Sequence, residues 1–179
     1  GPAGAVIRNN GTSAVATLTL NVAGGVHTYS GAIADGSTQP VALVKDGAGT
    51  QVLNGTLTHT GGTTVNGGML RVDSALGGNV TINAGGTVGG TGTIATDLTV
   101  PNGAIVSPGT SAGTLTVDGN YTQADGATLT IELGGADQGV TYDLLDVTRT
   151  ANLAGFLTVE LLNDYEPELF QRFTRSEEH

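Results

Sequence analysis

The chain has no cysteine and no tryptophan, and only one methionine, three phenylalanines and four tyrosines in 179 residues. Without cysteine there is no disulfide staple and no thiolate metal site, and the absence is silent about compartment because many surface proteins also lack disulfides. Charge is scarce as well. Charged residues make up 12% of the chain, with 6 Lys and Arg against 16 Asp and Glu and a formal net charge of −10. Lys45 is the single lysine. Such a balance repels phosphate backbones and anionic headgroups, so neither a nucleic-acid groove nor a basic membrane patch is expected. Apolar runs are short, as in Val41-Ala42-Leu43-Val44. They fall far below the ~20 residues of a membrane helix, so no segment is expected to insert in a bilayer. Gly1-Pro2-Ala3-Gly4 carries neither the basic start nor the apolar core of a signal peptide, and the start reads as that of an excised fragment or a mature chain.

What the chain does have is glycine, 30 residues of it, with threonine and valine. Strong helix formers are few, so the intrinsic preference is for strands joined by turns. One phrase recurs, apolar–Thr–apolar–polar. Thr64-Val65-Asn66, Val80-Thr81-Ile82-Asn83, Leu98-Thr99-Val100-Pro101 and Leu115-Thr116-Val117-Asp118 follow one another at a near-constant interval, with looser copies at Leu18-Thr19-Leu20-Asn21, Leu129-Thr130-Ile131-Glu132 and Leu157-Thr158-Val159-Glu160. In a strand alternate side chains share a face, so Val80 and Ile82, Leu98 and Val100, Leu115 and Val117 point inward while Thr81, Thr99 and Thr116 meet water. Turn signals follow each phrase: Asn66-Gly67-Gly68, Asn83-Ala84-Gly85-Gly86, Pro101-Asn102-Gly103 and Asp118-Gly119-Asn120.

A unit of this size cannot bury its apolar face alone, and stacking it on copies of itself makes one continuous interior. The expected fold is all-β, a right-handed parallel β-helix (β-solenoid) with short strands and Gly/Asn-rich turns. An antiparallel sandwich also shows short strands with regular turn signals, but it does not require the copied phrases. The expected organisation is a solenoid over 1–162, with repeat-like coils at 41–72, regular coils at 80–120 and looser terminal coils at 121–162, followed by an atypical tail at 163–179. Contiguous interior ladders are expected through Val80, Ile82, Leu98, Val100, Leu115 and Val117.

Val44-Lys45-Asp46-Gly47-Ala48-Gly49-Thr50-Gln51-Val52-Leu53-Asn54-Gly55, running on through Gly61-Gly62-Thr63-Thr64-Val65-Asn66-Gly67-Gly68-Met69-Leu70-Arg71-Val72, resembles the autotransporter-associated β-strand repeat of bacterial surface proteins. Ser107-Pro108-Gly109-Thr110-Ser111-Ala112-Gly113-Thr114-Leu115-Thr116-Val117 and Gly119-Asn120-Tyr121-Thr122-Gln123 are similar to the last coils of autotransporter passenger domains, as are Tyr142-Asp143-Leu144-Leu145-Asp146-Val147 and Leu157-Thr158-Val159. The resemblance implies a β-helical stalk, secreted or displayed on the outer surface of a bacterium, adhesin-like and without an active site. It also places small turn residues where Arg149 and Phe156 stand.

No constellation for catalysis, cofactor or metal is expected. Gly90-Thr91-Gly92-Thr93-Ile94-Ala95 satisfies G-x-G-x-x-[GA], but a strand and turn follow it instead of the helix whose N-terminus would hold a pyrophosphate. It reads as a glycine-rich corner, and Ile94 occupies the place of the carboxylate in a calcium β-roll repeat. Asp137, Asp143 and Asp146 could gather on one loop and take a hard cation, against a reading as solvated acidic turns. His27, His59 and His179 each stand alone, and His27 and His59 occupy similar local contexts that suggest equivalent outward positions. No pair of carboxylates lies beside a basic group at coil spacing, so no polysaccharide hydrolase or lyase is expected. The pairs Thr17/Thr19, Thr56/Thr58, Thr114/Thr116 and Thr128/Thr130 could order water on a flat face, but strand propensity explains them. The Asn-x-Thr triplets at Asn10, Asn54, Asn79 and Asn120 look like glycosylation acceptors and read more simply as turn chemistry.

The remaining expectations concern partners. Self-association through the open coil ends, or a surface ligand of unspecified type, are the two candidates, because sheet edges must be capped or paired. In the tail, Leu169, Phe170 and Phe173 form an apolar group among Glu166, Glu168, Arg172, Arg175, Glu177 and Glu178, which fits either a further strand or a short helix after Pro167 and marks a contact.

Overall fold

The computed structural model describes residues 4–169 and 171–172. Three sheets of seven strands each run the length of the molecule, and every paired strand is parallel to its neighbour. The first sheet stacks Val6–Arg8, Ala32–Ala34, Leu57–Thr58, Ala75–Leu76, Thr93–Ile94, Thr114–Val117 and Leu144–Val147. The second stacks Ala16–Asn21, Val41–Asp46, Thr63–Val65, Val80–Ile82, Leu98–Val100, Tyr121–Gln123 and Ala151–Asn152. The third stacks Val26–Tyr29, Thr50–Leu53, Gly68–Val72, Gly86–Gly90, Ile105–Pro108, Thr128–Leu133 and Phe156–Leu161. The chain visits the sheets in that order and then steps to the next coil, so the fold is a right-handed parallel β-helix of seven coils.

The cause lies in the alternation. Val80–Ile82 and Leu98–Val100 both show the pattern buried–exposed–buried. Their aliphatic side chains meet Leu76, Ile94, Val88 and Val106 from the other two sheets in one closed core. Burying each such side chain contributes about 1.5–3 kcal/mol. Glycine closes the third corner where no side chain fits: Gly90 has φ 110°, and a Cβ there would overlap the carbonyl oxygen of Val72 one coil earlier.

Register explains where the expected ladders hold and where they break. Thr64, Thr81, Thr99 and Thr122 pair in succession on the outer face of the second sheet. Leu115-Thr116-Val117, by contrast, pairs with Thr93 and Ile94 and with Leu145–Val147 on the first sheet, and the strand that follows Leu98–Val100 on the second sheet is Tyr121–Gln123. Leu115 and Val117 are buried as expected, but in a different ladder from Val80 and Leu98. The physical reason is the five-residue turn 109–113, which delays each later strand, so that Thr93 pairs with Thr116 and Leu98 with Tyr121. The Leu129 and Leu157 phrases lie on the third sheet and the Leu18 phrase on the second. The recurring phrase is therefore the signature of any half-buried strand in this fold, not of one coil position. Phe156 is also not a turn residue: it opens the last third-sheet strand and pairs with Thr128. Arg149 does sit in a turn.

Polar residues enter the core only towards the two ends of the column. On the second sheet the inward positions run Lys45, Val65, Ile82, Val100, Gln123, and beside them Leu43, Thr63, Val80, Leu98, Tyr121. Lys45 is fully buried, and its Nζ donates to the carbonyl oxygens of Asp46 (2.9 Å), Gly47 (2.8 Å) and Gly67 (3.1 Å). Tyr121 donates its hydroxyl to Gln123 Oε1 at 2.9 Å, and Gln123 Nε2 donates to the carbonyls of Ala127 and Phe156. After Leu161 the described residues carry turns and no strand, with Asn163 and Asp164 both at positive φ. Phe170, Phe173, Arg175, Glu177, Glu178 and His179 lie outside the described residues.

Two substitutions test this packing. Val100→Asp places an unpaired carboxylate at a fully buried position and is expected to abolish cooperative melting of the neighbouring coils, read by circular dichroism. Lys45→Met keeps the volume but leaves buried carbonyls without their donor, and a loss of about 1–3 kcal/mol is expected in denaturant titration.

Candidate functional site

Strands supply the ladders, and the corners supply nearly all the polar side-chain contacts. At the corner between the second and third sheets Asn66 donates to Asp46 Oδ1 at 2.7 Å and accepts from Asn83 Nδ2 at 2.6 Å, a row crossing three coils. Asn102 continues this corner by accepting the Gly126 N–H. At the corner between the first and second sheets Asp97 accepts from the backbone and side chain of Asn120, whose own Oδ1 accepts the Thr150 N–H. Asp35 accepts the Val41 N–H at 2.8 Å, the Thr60 N–H at 3.0 Å and the Thr60 hydroxyl at 2.6 Å. Burial works against its charge, but the Thr60 and Val41 donors outweigh that and hold the carboxyl below its usual value. The polar depression beside it, about 260 Å³, is lined by Asp35, Gly36, Ser37, Thr38, Gln39, Pro40 and Thr60.

The histidines do not occupy equivalent places. His27 is exposed on the first strand of the third sheet, whereas His59 sits at the corner after Leu57–Thr58 and is fully buried, which overturns the expectation of an outward role. His59 Nε2 lies 3.0 Å from the Thr63 hydroxyl, and Nδ1 has no hydrogen-bond partner. Burial pushes this imidazole below its ordinary value, with the Asp35 carboxylate opposing. The local sequence could not have shown this, because similar contexts place His27 within a strand and His59 at a corner.

The three aspartates of the acidic loop are dispersed. Asp137 is exposed and closes its own turn, accepting the Thr141 N–H on its carbonyl and donating its own N–H to the Thr141 hydroxyl oxygen. Asp146 pairs with Thr116 on the first sheet. Asp143 is buried and accepts two backbone N–H groups, from Gly113 at 3.0 Å and Glu132 at 2.8 Å. It thereby pins loop 134–143 to the preceding coil and to turn 109–113 at the same corner. Burial is the main force raising its carboxyl, to about 7, with Glu132 adding repulsion against the two N–H donors. Glu132 is itself raised, by burial and by Glu160, its in-register neighbour on the last coil. Among the described residues no group of three or more His, Cys, Asp or Glu is arranged to hold a metal ion.

Gly90–Ala95 forms the end of one third-sheet strand, a turn and the start of a first-sheet strand, with Leu98–Val100 next and no helix. The Thr-x-Thr pairs divide among all three sheets and share no single face. The continuous threonine row is instead the Thr64–Thr122 ladder, which was legible only once the register was known.

The open end of the column presents the remaining feature. Leu157, Val159 and Leu161 pair in register with Leu129, Ile131 and Leu133 but are more than half exposed, at 64%, 51% and 54%. A hollow of about 210 Å³ opens beside them, between Gln123, Leu129 and the segment 153–157. At the opposite end Val6, Val15 and Val26 are exposed. No helix among the described residues is long and apolar enough to cross a membrane.

The raised Asp143 carboxyl generates a pH prediction. A group whose folded value exceeds its unfolded value of about 3.9 is penalised when ionised, so its contribution is most favourable at low pH and is lost as pH rises through about 7. His59, with a lowered value, acts oppositely below about 6.5. Asp143→Asn is expected to flatten the gain in melting temperature that the parent shows on mild acidification, whatever its absolute stability. An unchanged pH profile would assign the effect to other groups.

No curated protein matches the chain. Residues 43–72, from the second strand of the second coil to the end of the third coil, match the sequence model of the passenger-associated-transport-repeat, so the segment that contains Lys45 and the Asp46–Asn66 link is similar to repeats that accompany transported passenger domains.

Proposed function

We propose that this chain is a non-catalytic structural module of a secreted or surface-displayed bacterial protein, a β-helical stalk or adhesin-like passenger segment. The observation that carries the reading is the register of seven stacked coils, of which the third and the later half of the second fall within the passenger-associated repeat match. Six coil-to-coil steps of about 4.8 Å make a rigid spacer of about 30 Å. Its outer faces are threonine rows and Asx-linked corners, a surface made for solvent. Catalytic chemistry is not part of this reading: the buried carboxylate of Asp143 accepts two backbone N–H groups inside the fold, and the buried His59 is engaged through Nε2 by the Thr63 hydroxyl.

A second reading has its own support. Leu157, Val159 and Leu161, in register with Leu129, Ile131 and Leu133, stand open at one end, and the strands of the first coil have an unpaired edge at the other, so copies could elongate a filament by stacking coil on coil. Sedimentation of the purified chain over a range of concentrations, with electron micrographs of the same samples, separates the two. A stalk segment is expected to remain a short particle of constant mass. Concentration-dependent elongation abolished by Val159→Asp would replace the stalk with the filament subunit.

A further inference from the structure

Four Asn-Gly pairs stand in the described chain, Asn10-Gly11, Asn54-Gly55, Asn66-Gly67 and Asn102-Gly103. This dipeptide is chemically labile: the backbone nitrogen of the glycine can attack the side-chain carbonyl carbon of the asparagine before it. All four share the same following residue, so differences between them must come from the fold. Attack requires the carboxamide to rotate over its own backbone and the glycine nitrogen to be released from any hydrogen bond.

Three of the pairs are restrained. Both ends of the Asn66 carboxamide are held, by Asp46 and by Asn83. Asn102 Oδ1 accepts the Gly126 N–H, and the Gly103 N–H donates to the Gly126 carbonyl at 2.8 Å. Asn10 is exposed, but the nitrogen that would attack it is engaged, since the Gly11 N–H donates to Asn9 Oδ1 at 2.9 Å. Asn54 differs from all three. It is exposed at the corner between the third and first sheets, and among the described residues neither its carboxamide nor the Gly55 N–H has a hydrogen-bond partner. Its own N–H alone is tied, to the Tyr29 carbonyl at 3.3 Å.

We infer that Asn54-Gly55 is a self-modifying site, at which water converts the Asn54 carboxamide to a carboxylate faster than at the other three pairs. The Gly55 nitrogen gives its proton to solvent base and bonds to Asn54 Cγ, the Cγ–Nδ2 bond breaks, and ammonia leaves. Water then opens the cyclic imide at either carbonyl, giving an aspartyl or isoaspartyl residue at position 54. The conversion adds a negative charge, and the isoaspartyl product inserts a methylene into the backbone. The corner is closely packed, since a Cβ on Gly55 would overlap the Gly31 carbonyl oxygen of the coil before, and a lengthened backbone at this point must shift it. The modified chain therefore loosens its first coils, around the Ile33 N–H to Thr56 carbonyl bond.

Incubating the purified full chain in mildly alkaline buffer, and following peptides by mass spectrometry, tests this. The peptide containing position 54 is expected to gain the mass of one amide-to-acid conversion several-fold sooner than those containing Asn10, Asn66 or Asn102. In denaturant the four rates are expected to converge. Asn54→Gln, which removes the five-membered ring route without removing any contact, is expected to erase the early phase in the folded chain. Equal rates in the folded protein, an earlier conversion at any other pair, or the same ranking in denaturant would each overturn the inference.

Discussion

Everything in this molecule depends on coil-to-coil register. A parallel ladder brings each strand within about 4.8 Å of its equivalents above and below, so a side chain is judged by its neighbours one coil away more than by its neighbours in sequence. Thr81 lies between Thr64 and Thr99, and Val88 between Leu70 and Val106. Within a strand no residue can be inserted without turning the core face outward. Length variation is therefore confined to corners. Adjacent coils are 18 residues apart where Thr81 meets Thr99 and 30 apart where Thr114 meets Leu144, yet the three sheets continue across both steps.

Confinement to the corners sets their chemistry. There the backbone leaves the ladder, and its N–H and C=O groups need other partners. Asp46, Asn66 and Asn83 bond to one another, while Asp35, Asp97, Asn102 and Asp143 accept N–H groups of other coils. Lys45 is the same device turned inward, one cation gathering three corner carbonyls. Each bond contributes about 1 kcal/mol. Repeated from coil to coil, such bonds fix the angle at which one sheet gives way to the next. Acidic residues at the corners also account for much of the chain's negative charge, whereas Glu132 and Glu160 meet in register on adjacent strands.

The sequence made the strands legible and left the corners obscure, for one reason. Strand burial follows a period of two, so the inward set Val80, Ile82, Leu98 and Val100 can be read from spacing alone. The solenoid follows from the repetition of that set. Which sheet a phrase occupies depends on the summed length of the preceding corners, and the turn 109–113 moved Leu115-Thr116-Val117 from the expected ladder to the first sheet. Buried polar groups at corners carry no periodic signal. Lys45 lay within an apolar–polar alternation that could have marked it as inward, since it follows Val41 and Leu43 at a spacing of two, whereas His59 and Asp143 are buried outside any strand, where no alternation marks them.

Mechanical and chemical durability then rest on the same contacts. A carboxamide held at both ends, as at Asn66, joins three coils and is kept from its own backbone by those two bonds. The Gly103 N–H, bound to the Gly126 carbonyl, is both a link between coils and a nucleophile withheld. A solenoid built with Asn-Gly corners gains sharp turns from residues that tolerate positive φ, and it acquires with each of them a bond prone to rearrange. The ladder of the coil above suppresses that tendency wherever the corner side chains stack. At Asn54 the following coils place Asp73 and Thr91 in contact with each other, and neither reaches the carboxamide. At Asn54 the missing side-chain contact thus removes a link between coils and leaves the covalent structure of the turn unprotected.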